Sequence, residues 1–277
     1  MSEAVQVLPA GASERRIRFV EEIAGEDVVL MRFHDPAPRY AILSGTASLE
    51  IGGGVRGDVL DVVLLPLDMQ LGAEAGAADW LEKPGEADVQ PPILVKYRGV
   101  ELAWRPGRAV LQCDLGQAEL LLAAVVEFTH YESELRRIER EIADAWGELE
   151  QDKGLAFEVK PADLKRSEAV GGRMNQALAR RIRLARIEPH LYETPATLPA
   201  ASRKLGEELR EKARIEMRLE AVDGQLEVFE DVYEMSGQRM GEYRAAREEQ
   251  VLEWVIILLL AAELVLMLVQ AVGKFAG

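Results

Sequence analysis

Hydrophobic positions change their period part-way along the chain. The first part is made of short runs rich in Val, Ile and Leu: RIRFVEEI, DVVLMRF, YAIL, ASLEI, VLDVVLLPL, ILVKY, VELAW and AVLQCDL. Turn signals separate them, namely AGED, HDPAP, SGT, GGGVRGD, KPGE and RPG. Short apolar runs bounded by Gly, Pro and Asp predict β-strands. Long helical periodicity is absent before about residue 116. Residues 16–115 therefore read as a mostly β region, with one short helix near Ala73–Leu81.

Beyond that point the period lengthens. Leu121, Ala124, Phe128, Tyr131, Leu135, Ile138, Ile142, Ala145 and Leu149 recur at steps of three and four. Ile215, Leu219, Val222, Leu226, Phe229, Tyr233, Ser236, Met240 and Tyr243 do the same. Each series predicts a long helix with a heptad seam. Seams of equal length in one chain are most simply satisfied by packing against each other as an antiparallel hairpin. Self-association between chains is the alternative, and periodicity does not separate the two. Gly224, Gly237 and Gly241 weaken the second helix by up to about 1 kcal/mol each, which favours close packing over a free rod.

The pattern then loses its polar face. LEWVIILLLAAELVLMLVQAV, residues 252–272, holds two acids and one glutamine in an otherwise apolar run. A bilayer core of about 30 Å needs roughly 20 apolar residues at 1.5 Å each, and Trp254–Val272 is 19 residues long with only Glu263 and Gln270 strongly polar. Trp254 suits the headgroup level. Glu263 lies near the middle, and Gln270 follows on nearly the same helical face. A polar group there needs a partner, because an intramembrane acid is costly. The expectation is a transmembrane helix over 252–273, with Trp254, Glu263 and Gln270 serving anchorage and assembly. A buried core or oligomer-interface helix is the competing reading. Arg239, Arg244 and Arg247 precede the run and only Lys274 follows it. The positive-inside rule then places the body in the cytoplasm, on a cytoplasmic-type inner membrane. The chain start lacks the apolar core of a secretory signal, and the single cysteine, Cys113, fits a reducing compartment.

The expected organisation is α+β: a β-rich domain at 1–115, a helical domain with long heptad helices at 116–251, and the anchor. Net charge changes what this body is expected to meet. At −15, general nucleic-acid binding is disfavoured. One basic concentration stands out. Arg173, Arg180, Arg181, Arg183 and Arg186 occur without an acid between Gly171 and Ile187. On a helix Arg173, Arg180 and Arg183 fall within about 80° of one another, so they are candidates for polyanion contact. A solvated face paired with neighbouring acids is the plainer alternative.

No catalytic or metal motif emerges. His34, His130 and His190 lack metal-ligand spacing with one another or with Cys113. His130 borders the first seam and reads as a packed histidine. IGGGVRGD at 51–58 lacks the Lys-Ser/Thr of a phosphate loop and reads as a hairpin turn. No catalytic residue, metal ligand or cofactor is assigned.

LYETP (191–195), RLEAVDGQLEVFEDVYEM (218–235) and LEWVIILLLAAE (252–263) resemble the required-for-meiotic-nuclear-division family, with AAVVEFTHYE (123–132) similar to its helix after the β segment. Trp254 and Glu263 keep that family's spacing. The aromatic continuation after the family's T-P is absent here, where ETPATLPAA stands, and residues 1–105 carry no likeness. The resemblance implies a membrane protein that self-assembles, has no established enzymatic activity and in some relatives supports organelle translation. The expected function is a tail-anchored scaffold or tether that self-associates through its helices. It presents a cytoplasmic domain to a protein or ribonucleoprotein partner. The alternative is a membrane-tethered enzyme or small-ligand binder with its site in the β-rich part.

Overall fold

A computed structural model describes residues 11–25, 27–44, 58–67, 81 and 91–275; at 266 and 268–275 only the helical backbone is described. The chain is α+β, a seven-stranded sheet followed by long helices. The strands are β1 (Ser13–Val20), β2 (Val28–Phe33), β3 (Arg39–Leu43), β4 (Val59–Leu65), β5 (Ile93–Tyr97), β6 (Val100–Arg105) and β7 (Arg108–Gln112). The sheet order is β2-β3-β1-β4-β7-β6-β5. Every described pairing is antiparallel except β4 with β7. Seven of the expected runs thus form strands. ASLEI and most of IGGGVRGD lie outside the described residues.

Local chemistry sets the two right-hand hairpins. Arg98 and Gly99 both have positive φ, +47° and +82°, as a two-residue turn matched to strand twist requires. Pro106 and Gly107 join β6 to β7, and Gly107 at φ +76° takes the third position of the turn. The central strands are buried along nearly their whole length, which explains why VLDVVLL and RAVLQ read as continuous rather than alternating runs. On one face Val63, Leu65, Ala103 and Val110 pack with Leu81. Leu81 is helical and is the one described residue of the short helix expected near Ala73–Leu81. On the other face Trp104 meets Phe128 edge-on at 5.0 Å and donates Nε1–H to Thr129 Oγ1 at 2.8 Å.

The helices are α1 (Ala118–Asp152), α2 (Ser167–Tyr192), α3 (Ala200–Lys212) and α4 (Ile215–Phe275). The seam positions are buried except Ala145 and Tyr243, which are half-buried. Burial of each large apolar side chain contributes about 1.5–3 kcal/mol. The chain forms two compact units, Met1–Glu141 with Arg180–Gly224, and Ile142–Ala179 with Gln225–Gly277. The boundary expected at 115/116 does not separate them. The first turns of α1 belong with the sheet, because Leu121, Val125 and Phe128 are fully buried there.

The antiparallel pairing expected between the two seam helices is corrected. In the first unit Tyr131 stacks on His190 at 4.4 Å, and Arg183 pairs with Glu141 further along α1. In the second, Arg173 reaches Glu148 and Asp152, while Arg244 of α4 reaches Ser167 Oγ at 3.4 Å. Arg181 of α2 pairs with Asp223 of α4 in the first unit. Within the first unit α2 therefore runs antiparallel to α1 and, with Arg181 paired to Asp223 and Tyr192 under the charges of Glu216 and Glu220, antiparallel to α4, so there the seam helices run parallel to each other. The physical reason is a third pass of chain. α2 supplies the return through a narrow apolar face, Val170, Ala177, Leu184, Ile187 and Leu191, set among arginines.

Beyond Met240 the described side chains of α4 are exposed, apart from Tyr243. Among the described residues no helix is long and apolar enough to cross a membrane. The exposed apolar stretch covers Val251–Val265 and Met267. Gln270 lies outside the described side chains.

Candidate functional site

A cavity of about 710 Å³ opens in the first unit, between the sheet, α1 and the α3–α4 junction. Each wall has a sequence reason. α3 ends at Lys212, and Arg214 turns the chain with φ +52° before α4 begins at Ile215. That conformation is sparsely populated for a residue with a Cβ and persists only where packing imposes it. Ile215 and Leu219 are buried immediately afterwards and fix the start of α4. Glu132, Arg136 and Glu139 project from one side of α1 at helical steps of four and three. β6 ends in the cavity wall with the buried Trp104 and Arg105.

The charges are arranged in two sets. Arg218 holds both oxygens of Glu139, Nε to Oε1 and Nη2 to Oε2, each at 2.8 Å. It also donates Nη1–H to Glu132 Oε1 at 3.0 Å, and Arg136 donates to the same oxygen at 2.9 Å. Burial alone would lower the Arg218 pKa, but these two carboxylates overcome it and raise it. Arg105 is buried and donates to the Leu81 carbonyl. The second set, Lys212 and Arg214, is exposed at the mouth. The lining carries five cations against two acids, in a chain whose net charge is −15.

The junction is pinned from behind. Arg210 donates Nη2–H to both oxygens of Glu127, at 2.8 and 2.7 Å, and to the His190 carbonyl at 2.8 Å. Its Nη1 reaches the Gly206 carbonyl and Thr194 Oγ1. Burial raises the Glu127 pKa against the opposing pull of Arg210. This pair ties α3 to α1 and to the turn after α2.

The histidines take structural positions. His130 is buried, stacks on Phe33 at 3.8 Å, and lies 3.4 Å from the Asp35 carbonyl oxygen through Nε2. Burial lowers its pKa to about 4. Partial burial would raise the Asp35 carboxyl, but Arg186 at 2.9 Å and His190 at 3.4 Å outweigh it and hold it low. His34 is exposed. Cys113 is buried, and burial lifts its thiol to about 11, far from a reactive thiolate. Among the described residues no group of three or more His, Cys, Asp or Glu is arranged to hold a metal.

The expected polyanion contacts are otherwise engaged. Arg173 pairs with Glu148 and the fully buried Asp152, and Arg180 and Arg183 share Glu141. Trp254 and Glu263 lie on the exposed part of α4. The cavity was not among the sequence expectations. The available signal was REKARIEMR at 210–218, with four cations in nine residues, but the interleaved acids conceal it.

No family model matches the chain, and no curated protein matches it.

Proposed function

We propose that this protein is a membrane-anchored scaffold. The apolar part of α4 enters a bilayer, and the sheet-bearing unit is presented to a partner on the side of Arg239, Arg244 and Arg247. The observation that carries this is the exposure of Val251–Val265 on every face of the helix. A helix apolar all round is at home in a core or a membrane, and no described residue covers this one. At 1.5 Å per residue the exposed stretch accounts for roughly 22 Å of a core about 30 Å thick. The sequence continues it through Val272. Self-association through the span is part of the same reading, since Glu263 has no charge partner in its own helix within one turn.

Alkaline carbonate extraction tests the anchor. The full chain is expected to stay with the membrane pellet, and a chain truncated after Glu249 is expected to be released. A full chain that washes off, or a truncated one that stays bound, would overturn the proposal. A second reading, a small-ligand binder, is favoured by the cation-lined cavity.

A further inference from the structure

We infer that the cavity beside the α3–α4 junction binds the phosphate group of a small organic phosphate of about nucleotide size. Its volume of about 710 Å³ falls within the roughly 300–1,000 Å³ typical of small-molecule sites. Two of its five cations are held by acids, and Arg105 is engaged with the Leu81 carbonyl. Glu132 and Glu139 clamp Arg136 and Arg218, which fixes the direction of their guanidinium planes. Those acids do not neutralise the site, because Lys212 and Arg214 remain in excess. Lys212 and Arg214 make no ion pair among the described residues, although acids outnumber bases in the chain. Unpaired cations on an acidic protein, brought to one mouth by a strained turn, call for an anion from outside.

Phosphate fits better than a lone carboxylate. Planar guanidinium groups bind its oxygens in pairs, and four of the five lining cations are arginines. Apolar walls supply the rest of the ligand's contact. Leu94 and Met217 line the cavity while 55% and 59% exposed, and Pro91, Pro92 and Ile93 continue the surface. The ligand is therefore an anion with an apolar body. A soluble organic phosphate and a phospholipid headgroup share that chemistry.

Calorimetry on the full chain in neutral detergent, at about 150 mM salt so that diffuse surface attraction is screened, distinguishes them. The probes are ADP, adenosine, and short-chain dihexanoyl phosphatidic acid. The variant combines Lys212→Ala with Arg214→Gly; glycine keeps the left-handed turn while removing the charge. Saturable ADP binding, absence of adenosine binding and at least a roughly tenfold weaker Kd in the variant are expected, since each charged hydrogen bond is worth about that much. Competition by dihexanoyl phosphatidic acid at lower concentration than ADP would support the site with a lipid headgroup as occupant. No saturable binding of either phosphate, equal binding of adenosine, or an unchanged Kd in the variant would each overturn the inference. The result is independent of the anchor, because every lining residue belongs to the first unit.

Discussion

At the residue scale, His130 makes the first unit sensitive to acid. An unfolded histidine titrates near 6.5, whereas burial against Phe33 and Phe19, with Arg39 and His190 nearby, lowers His130 to about 4. The unfolded chain takes up the proton first. Stability is therefore full above about pH 6.5 and falls as pH drops towards 4, a loss of about 3 kcal/mol. Asp35, held low by Arg186 and His190, adds to the loss further down, as pH falls below the ordinary Asp range. The urea midpoint is expected to drop between pH 7 and 4.5, and to drop less in His130→Phe. An equal drop in wild type and variant would sink this account. Gly206 offers a second test. A Cβ there would lie 2.7 Å from Thr194 Oγ1 and 3.1 Å from Arg210 Nη1. Alanine gains about 1 kcal/mol of helix propensity, but overpacking costs about 1–3 kcal/mol, and here it also disturbs the buried ion pair. Gly206→Ala should be net destabilising, and Thr194→Ala should recover part of the loss. A stabilised Gly206→Ala would show that Thr194 moves aside freely.

At the scale of elements, burial decides which arginines matter. Arg210 and Glu127 are both buried, so Arg210→Ala leaves an uncompensated charge and should cost about 3–5 kcal/mol, whereas Arg210→Met with Glu127→Leu should recover most of it. Arg183 and Arg180 share the partly exposed Glu141, and each replacement by Gln should cost under about 1 kcal/mol. Comparable losses in the two sets, measured by chemical unfolding, would show that position in the core is not what separates them. The same distinction explains what could be read from sequence. Seam residues such as Leu135 and Phe229 are large and recur regularly, so the burial of α1 and α4 was legible, as were the strands bounded by Gly and Pro. Their partners were not, because periodicity reports which face is buried and not what covers it. α2 escaped notice as the return pass because Ala177 and four aliphatic residues carry its core face, and its arginines dominate its composition. The cavity was hidden for another reason. Its cations come from β6, α1, the end of α3 and the start of α4, and no single stretch concentrates them without acids.

At the scale of the whole molecule, two properties pull in different directions: a net charge of −15 keeps copies apart, while the exposed apolar face of α4 calls for cover. Glu263 lies where these meet. It sits among Leu258–Leu264 on the exposed helix, and a mid-span acid on a lone helix costs about 2.5–3.5 kcal/mol by insertion scales. Interhelical hydrogen bonds in membranes recover only about 0.6–2 kcal/mol each. In a bilayer Glu263 would thus oppose insertion more than it supports it, and its role would be to select a partner helix. A second copy of this chain brings the same group to the same depth, so the two side chains can bond each other. Glu263→Leu is then expected to insert at least as well as the unmodified chain and to assemble less specifically. Crosslinking in intact membranes, combined with oligomer size in mild detergent, measures both. A discrete oligomer that persists unchanged in Glu263→Leu would remove Glu263 from assembly. An unmodified chain that is monomeric by both methods would end the self-association proposal and leave the acid to bond a different membrane protein.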